Sequence, residues 1–500
     1  MTRMQVPPTG LRSLLAAALF GWTCLAGAGA AGATAPAAPS LPTYLGTLAP
    51  GSLTSAIPTL SDPTQSWELY LPQSFDPARK WPVLILFDPR SRGKVAAELF
   101  RAAADEFGWV LASSDNTMSD GPGEPNARAI NAMIPDVMKR LPIDEKRIYA
   151  GCFSGGAVLA WTVGLKGNYL AGVISIGGRP APEHLALSPK FALFSAAGEG
   201  DFNYQPTREL DAIAAKAGVP HRLEFFPGPH SWCPPAMARQ AMGWLEVLAM
   251  RDGRAARDAA RIDSLLAEEM AAAEALAASG DALAAGRKFT EIGETFKGIG
   301  PPENLDRVKL RSAALLSSGE AKSSVKEEKA AEKYESQAFR RIGEASGLLR
   351  TAETPVAVGE LRHLLGVDDA LHRREGGGIA GAAADRVLAA IQVHIGYYLA
   401  QDLFAAHDYR RAVPGLTLVS QIFPDNSFML YNLACAQARS GLPEAAISSL
   451  GAALEHGLQQ PLQIATDADL ASLRDRPEFA TLLARARELD ARSAPGSPAP

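Results

Sequence analysis

The feature that most constrains this chain is a β-rich run that ends at a serine set among small residues. Residues 147–153 favour a strand, residues 154–156 read Ser-Gly-Gly, and residues 157–161 favour a helix. A sharp turn from strand to helix exposes a nucleophilic serine, and the helix N-terminus behind it favours developing negative charge. The pattern predicts Ser154 as a nucleophile, although Cys152 stands where the usual Gly-x-Ser-x-Gly has its first glycine.

A carboxylate suited to support that serine follows a later strand. In a hydrolase fold built around such a turn, the reactive residues run in chain order serine, acid, histidine. Residues 191–197 read as a buried strand, and the loop after them carries Glu199 and Asp201. We favour Asp201, because the two glycines before it let the loop turn its carboxylate toward an imidazole. Glu199 remains the alternative.

The histidine of such a site should follow the last strand of the sheet. Residues 221–226 alternate as a strand, and the turn after them contains His230. His184 precedes both acid candidates, and His221 opens a strand rather than following one. Elimination therefore leaves His230 as the predicted base.

Together these three side chains predict acyl transfer. His230 would take the proton of Ser154 as the serine attacks an ester carbonyl, and would then return it to the leaving group. Asp201 would hold the ring tautomer and stabilise the imidazolium. This chemistry requires neither an organic cofactor nor a metal, and no Cys or His spacing in the sequence indicates a zinc site.

The oxyanion formed in that reaction needs preorganised N–H donors. One predicted donor is the amide of Gly155, directly after the nucleophile. The other should come from the loop after the apolar strand at residues 82–87, where the sequence continues Asp88-Pro89-Arg90. Proline has no N–H, so Arg90 is the predicted second donor.

Two motifs resemble a known group of enzymes. Residues 143–149 read IDEKRIY before the serine turn, and residues 230–232 read HSW after the last strand. Over roughly residues 60 to 250, the chain resembles secreted α/β-hydrolase esterases of the polyhydroxybutyrate depolymerase and feruloyl esterase type. The resemblance implies an α/β-hydrolase fold, with a mostly parallel sheet and flanking helices. It also implies hydrolysis of small or polymer-derived carboxylic esters.

In that group the nucleophile, acid and base would correspond to Ser154, Asp201 and His230. Two departures from the group concern the site itself. One is Cys152 in place of the glycine, and the other is Asp88-Pro89, where these enzymes usually carry His-Gly. The second departure bears on the oxyanion hole, and the resemblance does not identify the acyl or alcohol group.

The cysteines carry a further hypothesis, because an exported chain can hold a disulfide. Cys152 lies two residues before the nucleophile, and Cys233 lies three residues after the base. The fold should bring their loops together, so we hypothesise a Cys152–Cys233 bridge that would tie the base loop to the serine turn. Buried free thiols are the alternative.

The amino terminus has the pattern of a signal peptide. Arg3 and Arg12 precede an apolar run at residues 14–20, and small residues at 28–33 offer a cleavage site. Residues 21–23 before Cys24 make a poor lipoprotein box, so no stable membrane anchor is expected. The chain is therefore expected to be exported, either periplasmic or secreted. Its formal net charge of −5 is small for 500 residues and argues against a nucleic-acid partner.

The second half of the chain is helical and carries a weak repeat. Leu399, Ala400, Ala412 and Leu416 recur 34 residues later as Leu433, Ala434, Ala446 and Leu450. That period and those small residues resemble tetratricopeptide repeats. A fainter copy is formed by Leu276, Gly280, Ala285, Phe289 and Ile292. Such repeats either bind a protein or peptide on a concave surface, or only pack on the hydrolase domain.

These observations give a domain plan and leave alternative functions open. The predicted segments are a signal peptide (1–33), a linker (34–55), a hydrolase domain (56–250), a helical region with a degenerate repeat (251–390), tetratricopeptide-like repeats (391–490) and a disordered tail (491–500). A serine peptidase of the same fold is one alternative, because the same three groups cleave amides. A non-catalytic binding scaffold that keeps the fold is the other.

Overall fold

The computed structural model of the chain describes residues 48–119, 123–181, 184, 188–458 and 460–493. The predicted signal peptide and residues 494–500 of the predicted tail lie outside these residues. Within them, no helix is long and apolar enough to cross a membrane. The last helix continues to Ser493, so the first residues of the predicted tail are helical.

Eight strands form a single sheet at the amino-terminal side of the molecule. The strands are β1 (Leu53–Pro58), β2 (Ser66–Tyr70), β3 (Trp81–Phe87), β4 (Val110–Ser114), β5 (Ile143–Phe153), β6 (Gly172–Ile176), β7 (Ala192–Gly198) and β8 (His221–Phe226). Their order is β1-β2-β4-β3-β5-β6-β7-β8. Among the pairs of named strands in the described residues, β1–β2 and β2–β4 are antiparallel and the other five are parallel. Leu53 pairs with Tyr70, so the sheet begins inside the segment predicted as linker.

Helices cover both faces of this sheet. They are α1 (Gly93–Phe107), α2 (Gly123–Arg140), α3 (Gly156–Gly167), α4 (Tyr204–Ala217) and α5 (Pro235–Arg251). Alternate residues of β3 point to opposite faces: Leu84 and Leu86 join the core under α1 and α5, whereas Val83 and Ile85 join the core under α2, α3 and α4. Because both faces are covered, β3 is buried along its whole length. This arrangement matches the predicted α/β-hydrolase fold.

The rest of the described chain is helical. Its elements are α6 (Ala259–Ala278), α7 (Ala282–Thr295), α8 (Pro302–Leu316), α9 (Gly319–Thr351), α10 (Val358–Leu365), α11 (Val367–Glu375), α12 (Gly378–Ile391), a π-helical segment (Gln392–Leu399), α13 (Ala400–Ala405), α14 (Tyr409–Ile422), α15 (Ser427–Arg439), α16 (Pro443–Glu455), α17 (Pro461–Thr466), a 3₁₀ turn (Ala468–Leu473) and α18 (Pro477–Ser493).

The helical half begins as part of the core of the sheet-containing half. Ile262 of α6, Phe289 of α7 and Val308 of α8 belong to the same apolar core as α5. The Trp244 indole of α5 donates a hydrogen bond to Thr295 Oγ1 at 3.2 Å. The predicted boundary near residue 250 therefore follows the end of a helix but does not separate two cores.

The weak 34-residue repeat falls on two successive helix pairs. The first pair is the π-helical segment with α13, followed by α14, and the second pair is α15 and α16. The matched positions, all buried, are Leu399, Ala400, Ala412 and Leu416 in the first pair and Leu433, Ala434, Ala446 and Leu450 in the second. Burial at equivalent places agrees with the period. That these pairs are tetratricopeptide repeats stays a prediction.

Candidate active site

Ser154 occupies the turn between β5 and α3. Its φ is +50°, a left-handed conformation that non-glycine residues rarely adopt and that stores strain at functional sites. The Ser154 N–H donates to the Ile176 carbonyl at 2.9 Å, which ties the turn to the end of β6. A Cβ at Gly156 would lie 2.4 Å from the Phe87 carbonyl oxygen. The glycine after the serine turn is therefore what lets α3 start against the end of β3.

Asp201 lies in the loop after β7 and is fully buried. Its Oδ1 accepts a hydrogen bond from the Asn203 N–H at 2.7 Å, which fixes the carboxylate within its own loop. Of the two predicted acid candidates, the structure brings Asp201 against the imidazole. Glu199 is exposed, and its N–H donates to the Phe226 carbonyl at the end of β8.

His230 joins the other two side chains. Its Nε2 lies 2.8 Å from Ser154 Oγ, and its Nδ1 lies 2.9 Å from both carboxylate oxygens of Asp201. An ionised carboxylate only accepts hydrogen bonds, so Nδ1 carries the proton of the neutral ring. Nε2 is then the acceptor that faces the serine hydroxyl. The three predicted side chains thus form one continuous hydrogen-bonded line from hydroxyl to carboxylate.

Two glycines after β6 make room for this line, and the sequence reading missed them. Gly177 has a φ of +53°, and a Cβ there would lie 2.6 Å from Asp201 Oδ2 and 3.2 Å from His230 Nδ1. A Cβ at Gly178 would lie 2.3 Å from the Ser154 carbonyl oxygen. The sequence signal for these residues was a Gly-Gly pair directly after a strand. Only the folded site shows that the absence of side chains leaves room for Asp201, His230 and the Ser154 carbonyl.

Asp88 is one of the positions at which the sequence departs from the esterases that it resembles. This buried residue follows β3, and its Oδ1 accepts the Arg92 Nε–H at 3.0 Å. Its Oδ2 accepts hydrogen bonds from Arg92 Nη2 at 3.0 Å and from the Trp232 indole at 2.8 Å. Trp232 lies two residues after His230, so the Asp88 carboxylate links the loop after β3 to the loop that carries the base.

The same carboxylate overturns one predicted role. The Arg90 N–H donates to Asp88 Oδ1 at 2.8 Å, so the amide predicted as the second oxyanion donor is already engaged. The sequence excluded Pro89 correctly for lacking an N–H, but it could not show which way the next amide points. Gly155 lies at the start of α3, and no acceptor for its N–H is found within the described part of the chain. The Ser119 side chain lies beside it, because a Cβ on Gly155 would meet Ser119 Cβ at 2.3 Å.

The hypothesised Cys152–Cys233 disulfide is wrong: both residues are buried free thiols. Cys152 faces the core under α2, α3 and α4, whereas Cys233 faces the core under α1 and α5. The sheet therefore separates the two sulfur atoms. Burial raises the pKa of each thiol to about 12, so both remain protonated near neutral pH.

Aromatic rings enclose the imidazole, and one of them faces the helical half. The ring of His230 lies 4.7 Å from that of Phe153 and 4.5 Å from that of Phe202, measured between centroids. Phe202 also meets His394 of the π-helical segment, at 6.5 Å. Burial, assisted by the charge of Arg179, lowers the pKa of His394. Single π-helical turns frequently occur at functional sites.

Comparisons with known proteins do not identify the function of the site, which must be inferred from the geometry described above. No family model and no curated protein matches the chain. Among solved structures, the chain is similar to FphF, a fluorophosphonate-binding serine hydrolase of Staphylococcus aureus, with 15% identity, a TM-score of 0.34 and coverage of 39% of this chain and 98% of that one. A ferulic acid esterase gives 16% identity, a TM-score of 0.34 and coverage of 39% and 96%.

A peptidase is also among the similar structures. Dipeptidyl peptidase 4 of Porphyromonas gingivalis gives 17% identity and a TM-score of 0.30, and the match covers 39% of this chain and 35% of that one. The chain thus spans about a third of that protein's length.

Proposed function

We propose that this chain is a serine hydrolase that cleaves carboxylic esters through an acyl-enzyme. The observation that carries the proposal is the line from Ser154 Oγ through His230 to Asp201, with a hydrogen-bond distance at each step. A nucleophile, a base and an orienting acid within such reach form the arrangement that activates a serine hydroxyl.

Each residue then has a defined task. As Ser154 Oγ attacks the ester carbonyl, its proton passes to His230 Nε2, and the imidazolium is stabilised by the buried Asp201. The proton moves from Nε2 to the departing alkoxide, which leaves as the alcohol. Water attacks the acyl-enzyme with His230 again as base, and this second step releases the acid and restores the serine.

The strained serine turn supports the same assignment. A residue held at positive φ costs free energy that the surrounding fold must offset, and such residues cluster at active sites. The Gly155 N–H, at the start of α3 beside the nucleophile, is the proposed oxyanion donor. A helix N-terminus adds a partial positive charge at the same place.

The experiment compares Ser154→Ala with Ser317→Ala, a control whose exposed hydroxyl bonds only the Ala314 carbonyl at a helix end. Both variants and the wild type are treated with a fluorophosphonate probe, a short-chain nitrophenyl ester and a panel of peptide amides. Labelling and turnover should fall by about 10⁴-fold or more in Ser154→Ala and stay unchanged in the control. Wild-type protein that neither labels nor turns over would favour the scaffold, and preferential cleavage of peptide amides would favour the peptidase.

We also propose export, on the strength of the amino-terminal sequence pattern. The test is expression in a bacterial host, followed by fractionation and amino-terminal sequencing of the product. Recovery from the periplasm or medium with a new amino terminus within residues 28–34 supports export. An intact Met1 in the cytoplasmic fraction contradicts it.

A further inference from the structure

The loop that carries Asp201 lies between the two halves of the molecule. We use the name acid loop for residues 199–204, which are the loop after β7 and the first residue of α4. On its hydrolase side, the Gly200 N–H donates to the Gly228 carbonyl at 2.9 Å, within the loop that leads to His230. On its other side, the acid loop is in contact with side chains of α12 and the π-helical segment.

Arg386 of α12 makes the most specific of these contacts. Its Nη1 donates to the Glu199 carbonyl at 3.0 Å, and its guanidinium carbon lies 4.0 Å above the ring of Tyr204. The two contacts fall on either side of Asp201 in the sequence. A planar guanidinium can donate along its edge and stack on an aromatic face at once, which an ammonium group cannot reproduce.

A second charge fixes Arg386 itself. Glu335 of α9 accepts hydrogen bonds from Arg386 Nε, at 3.2 Å, and from Nη2. Both side chains are almost fully buried, with 6% of Arg386 and 2% of Glu335 exposed. A buried ion pair contributes little net stability, but this one limits where the Arg386 guanidinium can lie.

Phe202 adds an apolar contact to the same loop. It packs against the apolar cluster of the helical half, which includes Ile342 and Ile391. Its ring also meets the imidazole of His230, so the helical half reaches the base through one aromatic side chain. Glu199, Phe202 and Tyr204 are thus each held by the helical half, and all of them belong to the acid loop.

We propose that the helical half is a working part of the hydrolytic site, with Arg386 as a positioning residue that holds the acid loop so that Asp201 meets His230. The inference rests on the proposed serine-hydrolase function. It assigns the interface between the halves a role beyond packing: the helices brace a loop whose geometry sets the rate.

The test uses the full-length chain and the nitrophenyl ester. Arg386→Met removes the contact with Glu199 but leaves Glu335 buried without a partner, which can unfold the protein. The double variant Arg386→Met with Glu335→Leu removes both charges together, and such replacement of a buried pair by apolar residues is often neutral for stability. Arg350→Met, which breaks an exposed pair with Asp402 in the same helical half, is the matched control.

We expect the double variant to have the same unfolding temperature as the wild type. Its kcat should fall by about 100-fold with KM unchanged, which is the loss that a misplacement of about 1 Å causes. Arg386→Lys should have a kcat between those of the double variant and the wild type, because lysine keeps the positive charge but lacks the planar guanidinium. The control should match the wild type. A folded double variant with wild-type kcat would overturn the inference, whereas a wild type that is inert to both substrate and probe would overturn the proposed function instead.

Discussion

The two halves of the molecule both reach the candidate site, but they contribute different things. The half that contains the sheet supplies Ser154, Asp201 and His230 from the loops after β5, β7 and β8, together with the glycines that let these side chains meet. The helical half supplies contacts to the acid loop through Arg386, and none of the three groups. The comparison teaches that a large all-helical region can act on a site by holding a loop, without donating to the chemistry.

The largest expected effect separates Asp201 from its neighbour Glu199. Asp201→Asn should lower kcat by about 10⁴-fold, because the amide stabilises the wrong imidazole tautomer. Glu199→Gln should leave kcat unchanged, because the hydrogen bond from Arg386 is to the Glu199 backbone carbonyl, which the substitution keeps. Steady-state ester hydrolysis measures both. Equal losses in the two variants would show that the acid has been misassigned.

A smaller effect is expected from Gly177→Ala. The added Cβ would lie 2.6 Å from Asp201 Oδ2 on a backbone with positive φ, so the carboxylate must shift away from the imidazole. We expect kcat to fall by about 100-fold. The control is Gly218→Ala, which has a similar φ of +70° and open space around the added carbon. A Gly177→Ala enzyme as active as that control would contradict the assigned role of this glycine.

Asp88→Asn examines the link within the hydrolase half. The variant leaves Arg92 without its carboxylate and gives the Trp232 indole a poorer partner, so about 2 kcal/mol of stability should be lost. Thermal unfolding should shift down by about 4–8 °C. Replacing the exposed Asp76, whose Oδ1 accepts from the Ala78 N–H, by Asn provides the comparison. An unchanged thermal midpoint in Asp88→Asn would show that the Asp88 carboxylate, which joins Arg92 and Trp232, is not needed for stability.

The smallest expected effect concerns pH and the interface between β8, α6 and α7. Arg222 and Lys288 are buried there and form ion pairs with the partly buried Glu224, Glu269 and Glu291. Burial raises the pKa of Glu291 to about 7, outweighing the attraction of Arg222. A carboxyl whose pKa is raised on folding favours the folded state below its unfolded value of 4.5, and this contribution is lost as pH rises through about 7.

Glu291→Gln should therefore reduce the loss of stability as pH rises. The thermal midpoint of the variant, relative to that of the wild type, should rise between pH 5 and pH 8, since glutamine never ionises. Glu294→Gln, next to the same interface, should show no such trend. A difference that stays constant with pH would mean that Glu291 is ionised throughout this range.

Much of the site could be predicted because its signals are local. A strand that ends at Ser154 before a helix, and loops after the last two strands that carry Asp201 and His230, follow from periodicity and chain order. The predictions for Arg90 and for the Cys152–Cys233 pair were wrong for a common reason. Each depended on the direction of one group, an amide in the first case and two side chains on opposite faces of the sheet in the second.

Sequence patterns are enough to predict four of the strands (β3, β5, β7 and β8), the three side chains of the candidate site and the helical nature of the second half. These features are encoded within short stretches by hydrophobic period and turn residues. The folded structure alone shows that Asp88 accepts a hydrogen bond from Trp232 and that Arg386 donates one to the Glu199 carbonyl, 187 residues away in the sequence. Such contacts depend on how buried surfaces pack together, and no short stretch of sequence carries that information.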